Sequence, residues 1–137
     1  MAVYTSADQV QQVAAELFAR LGRNEEVKKR TSRLEASFRF QITDLDTTFT
    51  LVIDKGTLQL QSHDPIATKA TLKMDSSVFH EAMAGTLNLP MALVNRTLVI
   101  EGDTRAVLNL TALGKPLNAT YQAVFEELMP KAGSRGG

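Results

Sequence analysis

The chain contains no cysteine, which excludes disulfide stapling, thiolate catalysis and cysteine-ligated zinc. An excess of charge of one sign is missing as well. Lysines and arginines number 15 and aspartates and glutamates 15, so no whole-domain positive field exists to hold a phosphate backbone. No apolar run approaches the roughly 18 residues of a membrane span. The first residues, Met1 to Asp8, have neither the basic start nor the apolar stretch of a signal peptide, and the last, Lys131 to Gly137, lack a Ser-Lys-Leu ending. These absences lead to the expectation of a soluble, cytoplasmic chain with a disordered tail over residues 131–137.

Catalytic motifs are also missing. His63 falls in a predicted turn and His80 on a predicted helix. Neither has a metal-ligating partner four residues on, and His80 and its neighbour Glu81 do not face each other on a helix. No nucleophile elbow, Gly-rich phosphate loop or His-Glu-x-x-His motif is present. Both histidines read as solvated, and the carboxylates Asp44, Asp46, Glu126 and Glu127 read as turn and surface residues. An enzyme would need a carboxylate buried in an apolar cavity with a raised pKa, and no residue stands out for that role. The expectation is a non-enzyme without metal or cofactor.

What is present suits one domain over residues 1–130. The chain has 137 residues, 44% of them apolar, and a chain of about 150 hides roughly 70% of its unfolded surface, enough for a core without staples. Val10, Val13, Ala14, Leu17 and Leu21 recur at helical spacing over residues 6–21, with Ser6 as N-cap and Gly22 as stop. Residues 24–33 form a second short helix or a loop.

From Leu34 the period changes to two. Leu34, Ala36, Phe38, Phe40 and Ile42 alternate with polar residues, which predicts an antiparallel strand. A turn at Asp44 to Asp46 leads to a second strand carrying Phe49, Leu51 and Ile53. The Asp54-Lys-Gly56 turn leads to a third, with Leu58 and Leu60. After Pro65, alternation resumes over residues 67–74. Helical spacing then returns with Val78, Phe79, Ala82 and Met83, capped by Asp75 or Ser76 and ended by Gly85. Pro90 opens a short helix to about Val94, with Asn95 as a left-handed exit. A strand over Thr97 to Glu101 precedes helical stretches at Thr104 to Leu113 and Leu117 to Met129. The pattern predicts an α+β fold: a mostly antiparallel sheet with helices on one face.

The stretch from Met83 to Asp103, together with Phe49-Thr-Leu-Val-Ile-Asp-Lys-Gly56 and Lys69-Ala-Thr-Leu-Lys-Met-Asp75, resembles the sterol carrier protein type two (SCP2) domain family in order and spacing, over about residues 8–129. The resemblance implies a five-stranded sheet whose helices enclose an apolar tunnel. The implied function is to bind or transfer a fatty acid, acyl-CoA, sterol-like or isoprenoid ligand. Related domains assist ubiquinone synthesis or sit at the ends of larger enzymes, so an accessory domain holding a lipid intermediate such as a ubiquinone precursor is the alternative. Taken alone, the Met-bearing tract Leu87 to Val94 beside Phe79 and Met83 fits plain core packing. With the resemblance in view, Phe79, Met83, Leu87, Leu89, Met91, Val94, Leu60 and Phe125 are candidate lipid contacts, methionine being suited to irregular apolar ligands.

The basic run Lys28, Lys29 and Arg30 with Arg33 is a solvated face or a surface for transient contact with anionic lipid headgroups. No aromatic residue interleaves it as a stacking platform, so a nucleic-acid partner is not expected. No feature of the sequence specifies an oligomeric state.

Overall fold

The computed structural model describes residues 3–61, 68–107, 110 and 113–129. The period-two segments form β1 (Glu35–Ile42), β2 (Thr47–Asp54), β3 (Thr57–Gln61), β4 (Ala70–Met74) and β5 (Leu98–Gly102). They make one sheet in the order β3-β2-β1-β4-β5. Three pairings are antiparallel, while β1 and β4 run parallel with Phe38 opposite Ala70 and Ile42 opposite Met74. The meander β1-β2-β3 closes through Lys55 and Gly56, with φ of 48° and 91°. Positive φ at both central positions is what a type I′ two-residue hairpin loop requires.

Alternation sorts the two faces. Phe38, Phe40, Phe49, Leu51, Ile53, Leu72 and Met74 lie on the buried face, whereas Lys73 on the other reaches across to Glu101 at 3.0 Å. Helices α1 (Ala7–Gly22), α2 (Glu25–Thr31), α3 (Ser76–Ala84), α4 (Leu89–Val94), α5 (Thr104–Val107) and α6 (Gly114–Leu128) complete the chain. The segment left open as helix or loop is therefore the helix α2, capped by Asn24, whose side chain accepts from the Val27 amide. Ser6 caps α1 and Asp75 caps α3 in the same way, satisfying amides that have no partner within the helix. The α1 stripe Val10, Val13, Ala14, Leu17, Phe18 and Leu21 is fully buried. Each such large side chain contributes about 1.5–3 kcal/mol.

Two details differ from the pattern read along the sequence. The left-handed residue after α4 is Arg96, at φ 62°, while Asn95 stays right-handed at −81°. The Asn95 amide is still held by the Met91 carbonyl, and the turn closes one residue later, when the Thr97 amide reaches the Ala92 carbonyl at 3.0 Å. That wrap needs the left-handed conformation at the intervening residue. The last helix begins at Gly114 instead of Leu117, with Pro116 tolerated in its first turn, where no amide bond is lost. The predicted continuation of α5 to Leu113 lies partly outside the described residues, as do His63 and the tail from residue 130.

Candidate functional site

Phe79 on α3 fixes how the helices meet the sheet. Its ring stands edge-on to Phe40 and Phe49, with centroids 6.4 and 5.8 Å away, and those two rings stack on each other at 5.0 Å. This packed wedge fills the space between α3 and β1-β2. Beyond it, toward β4 and β5, the layers are not filled, and a cavity of about 300 Å³ remains. Phe40, Leu72, Met74 and Leu98 form its sheet side, and Ala82, Met83, Leu87 and Leu89 its helix side. Val107, Leu110, Gly114 and Leu117 close the end, and among the described residues Asn118 is the one lining side chain with hydrogen-bonding groups. Its amide donates to the Met83 carbonyl at 2.9 Å.

A second cavity of about 320 Å³ adjoins the first and shares Leu89, Leu98 and Val107 with it; Leu93, Arg96 and Ile100 are among its other walls. A larger hollow of about 500 Å³ lies elsewhere, between α1 and β3. Gln11 and Gln12 line it, and Gln11 is already bonded to Thr47 and the Thr48 carbonyl. The 300 Å³ cavity is the better candidate, because apolar side chains from both layers converge on it and one polar group is enough to orient a ligand.

The candidate contacts separate in space. Met83, Leu87 and Leu89 come together on the cavity wall. Phe79 belongs to the ring cluster, and Phe125 packs 5.8 Å from Tyr4 and 4.8 Å from His80. Leu60 borders the α1–β3 hollow. Met91 and Val94 are exposed, at 51% and 75%. Leu72, Met74, Leu98 and Leu117 line the cavity without having been singled out; the alternation of their strands puts the first three on the core face but does not distinguish floor from packed core.

His80 is half-buried instead of freely solvated. Its Nδ1 lies 2.7 Å from the Tyr121 hydroxyl, which lies 2.6 Å from the Tyr4 hydroxyl. Tyr4 is buried and its proton needs an acceptor; Tyr121 is the partner among the described residues. The Tyr121 proton then goes to His80 Nδ1, so the imidazole is neutral with its proton on Nε2. Burial holds the His80 pKa below its usual value, against the nearby Glu81 carboxylate. Burial also pushes the Tyr4 phenol up to about 12 and raises Tyr121. Phenols held neutral in this way serve as structural hydrogen-bond groups.

The basic run sits on and after α2. Lys28 pairs with Glu25 at 3.6 Å, and Arg30 pairs with Glu26. Arg30 also lies over Gly114 at the cavity end, where an added Cβ would come within 2.6 Å of its Nη1. Asp44 receives the Ser76 amide and hydroxyl at 2.8 and 2.7 Å, and Glu127 pairs with Arg20 at 2.6 Å. Among the described residues, no group of three histidine, aspartate or glutamate side chains is placed to hold a metal ion. No described helix is long and apolar enough to cross a membrane.

Comparison with known proteins adds the following. The model of the SCP-2 sterol transfer family matches residues 15–115. The UbiJ-SCP2 ubiquinone synthesis protein superposes with a TM-score of 0.62 at 18% identity, over 85% of this chain and 97% of that one. Sterol carrier protein-2 from Aedes aegypti, solved in complex with palmitate, gives 0.58 at 19% identity, over 82% and 96%. The sec-alkylsulfatase Pisa1 from Pseudomonas sp. gives 0.58 at 19% identity over 63% of this chain, but this chain covers only 14% of the sulfatase. At these identities the likeness establishes the fold. No curated protein matches the sequence at a significant level.

Proposed function

Because the chain belongs to the SCP-2 sterol transfer family, we propose that it binds a lipid or other long apolar molecule in the cavity between β4-β5 and α3, α4 and α6, and carries or presents it without chemistry of its own. The observation that supports this most is the cavity itself. About 300 Å³ is left unfilled beside a tightly packed aromatic wedge, and among the described residues Asn118 is the one polar side chain in its wall. Ligand sites span about 300–1,000 Å³ and are mostly apolar with few polar groups. The adjoining 320 Å³ cavity extends the space available to a long chain. Met83, Leu87 and Leu89 are the proposed contacts among the residues singled out in the sequence, with Leu72, Met74, Leu98 and Leu117 opposite and beside them. Arg30, which lies over Gly114 and pairs with Glu26, is the proposed partner of an acidic head.

The experiment is displacement of a fluorescent fatty-acyl or sterol probe from the purified protein. Fatty acids, acyl-CoA, sterols and isoprenoid quinones are the competitors, and short polar metabolites the controls. Displacement by at least one long-chain class and by none of the controls is expected. Leu98→Trp, which fills the shared wall, should weaken displacement while the protein stays folded. Absence of displacement by every long-chain class rejects the reading.

A second reading uses the same cavity differently: the domain holds a lipid intermediate, such as a ubiquinone precursor, for partner enzymes. It is supported by the likeness to the UbiJ-SCP2 protein along nearly all of that chain and by the occurrence of this fold within a larger enzyme. Native mass spectrometry with lipid extraction decides between them. A quinone precursor retained through purification favours holding, and a mixed, exchangeable set of acyl lipids favours transfer.

A further inference from the structure

Four of the five large apolar side chains exposed among the described residues belong to one short helix. They are Leu89, Met91, Leu93 and Val94 of α4; the fifth is Leu128. Only Ala92 of α4 is buried. Scattered apolar exposure is ordinary, but a contiguous exposed patch marks a surface that meets something apolar. At 100° per residue these four side chains spread over roughly half of the helix circumference. A groove on another protein reads a narrow stripe at positions i, i+3, i+4 and i+7. A fluid acyl layer accepts apolar groups over a wide arc.

The charges point the same way. Between Ala82 and Ile100 the one charged residue is Arg96, exposed on the left-handed turn that ends α4. Arg105 is exposed close by, at the start of α5. Neither makes an ion pair among the described residues, whereas Lys28 and Arg30 on α2 are paired with Glu25 and Glu26. An apolar tip that carries no carboxylate on α4 itself and is flanked by two exposed guanidiniums complements an anionic lipid surface. The nearest carboxylate in sequence to Arg105 is Asp103, which accepts the Arg105 backbone amide at 3.0 Å. The tip is also continuous with the ligand space, since Leu89 lines both cavities and Leu93 and Arg96 line the outer one.

We propose that α4 is the membrane-docking element of this protein: Met91, Leu93 and Val94 enter the acyl region of an anionic bilayer and Arg96 and Arg105 meet the phosphates, so that the outer cavity opens onto the membrane. The link to the cavity rests on the ligand-binding reading above; the docking surface itself does not.

The test is co-sedimentation of the full chain with phosphatidylcholine vesicles, with and without phosphatidylglycerol, at low and high salt. The parent protein should bind the anionic vesicles and lose binding as salt rises. The double variant Met91→Ser/Val94→Ser changes only exposed positions. It should lower vesicle affinity by about tenfold or more and leave displacement of the soluble fluorescent probe unchanged. Arg96→Gln/Arg105→Gln should flatten the salt dependence. The fourfold glutamine variant at Lys28, Lys29, Arg30 and Arg33 should retain vesicle binding. The inference is overturned if the parent fails to bind anionic vesicles, if the serine variant binds like the parent, or if the α2 variant alone abolishes binding. Failure of probe displacement with α4-dependent vesicle binding intact would reject the ligand reading and leave the docking surface standing.

Discussion

The Tyr4 hydroxyl lies 2.6 Å from the Tyr121 hydroxyl, although 117 positions separate the two in sequence. Both rings are buried to within 1%, so this contact ties the segment ahead of α1 to the middle of α6 in a place water does not reach. The chain continues to His80, which gives its members unequal weight. Tyr4→Phe leaves Tyr121 still donating to His80 and should cost about 0.5–1.5 kcal/mol. Tyr121→Phe strands the buried Tyr4 proton and should cost about 1–3 kcal/mol. Urea melts of the two variants measure the order, and an equal or reversed order contradicts the assigned donor direction.

Protonation of His80 acts on the same chain. Its folded pKa lies below the unfolded value of about 6.5, because burial disfavours the charged ring. In the window between the two values the unfolded state binds more protons, so stability rises with pH there. The contribution is fully present above about pH 6.5 and is lost as pH falls through the folded pKa. The urea midpoint should therefore drop on acidification through this window, and His80→Asn should show a shallower drop. Parallel curves for parent and variant would place the pH dependence elsewhere.

The two tyrosines of the chain are Tyr4 and Tyr121, and both are held neutral by burial, Tyr4 up to about 12. Phenolate absorbance of the folded protein should stay flat past the ordinary value of about 10, then rise together with unfolding. Raised folded values mean that stability is intact below about pH 10 and is lost as pH climbs through the folded pKa. A phenolate signal at the ordinary value with the circular dichroism unchanged would show one ring to be accessible.

Three truncations separate packed core from cavity wall. Leu17, fully buried on α1, should lose about 2–5 kcal/mol on change to alanine with near-normal probe binding in the folded fraction. Met83→Ala enlarges a space that already exists, so it should cost less, about 1 kcal/mol, and weaken probe binding. Met91→Ala, at an exposed position, should change stability by no more than about 0.5 kcal/mol. If Met83→Ala is as destabilising as Leu17→Ala and binds probe normally, Met83 is packed core.

Most of the architecture was legible because period alone carries it. The step from 3.6 to 2 at Leu34 places β1, and Ser6, Asp75 and Gly85 mark helix ends by their own chemistry. The parallel partner of β1 was not legible: alternation at Phe38, Phe40 and Ile42 looks the same whether the neighbour runs up or down. Phe79 and Met83 lie on one helix face a single turn apart, yet the first fills the core and the second borders a void. That difference is made by Phe40 and Phe49 stacking beneath one and by Leu72, Leu98 and Leu117 standing back from the other, which are contacts between distant segments. Six residues of α4 are too few for a periodicity to show which side faces out, so its apolar character read as wall for its whole length.

The parallel β1–β4 pairing also has a kinetic consequence. The meander β1-β2-β3 forms from neighbours joined by tight turns, whereas Phe38 meets Ala70 only after the long intervening chain has been closed. Long-range pairing of this kind is slow, since the entropy of closure precedes the contacts that offset it. The sheet side of the cavity is made by β1 together with β4 and β5, and its other side by helices that follow β4 in the chain, so it exists only once this late step is complete. A bound ligand therefore has nothing to hold in the early folding ensemble, and its stabilisation falls on the unfolding limb of the chevron, lengthening the lifetime of the native state while leaving the refolding rate nearly unchanged.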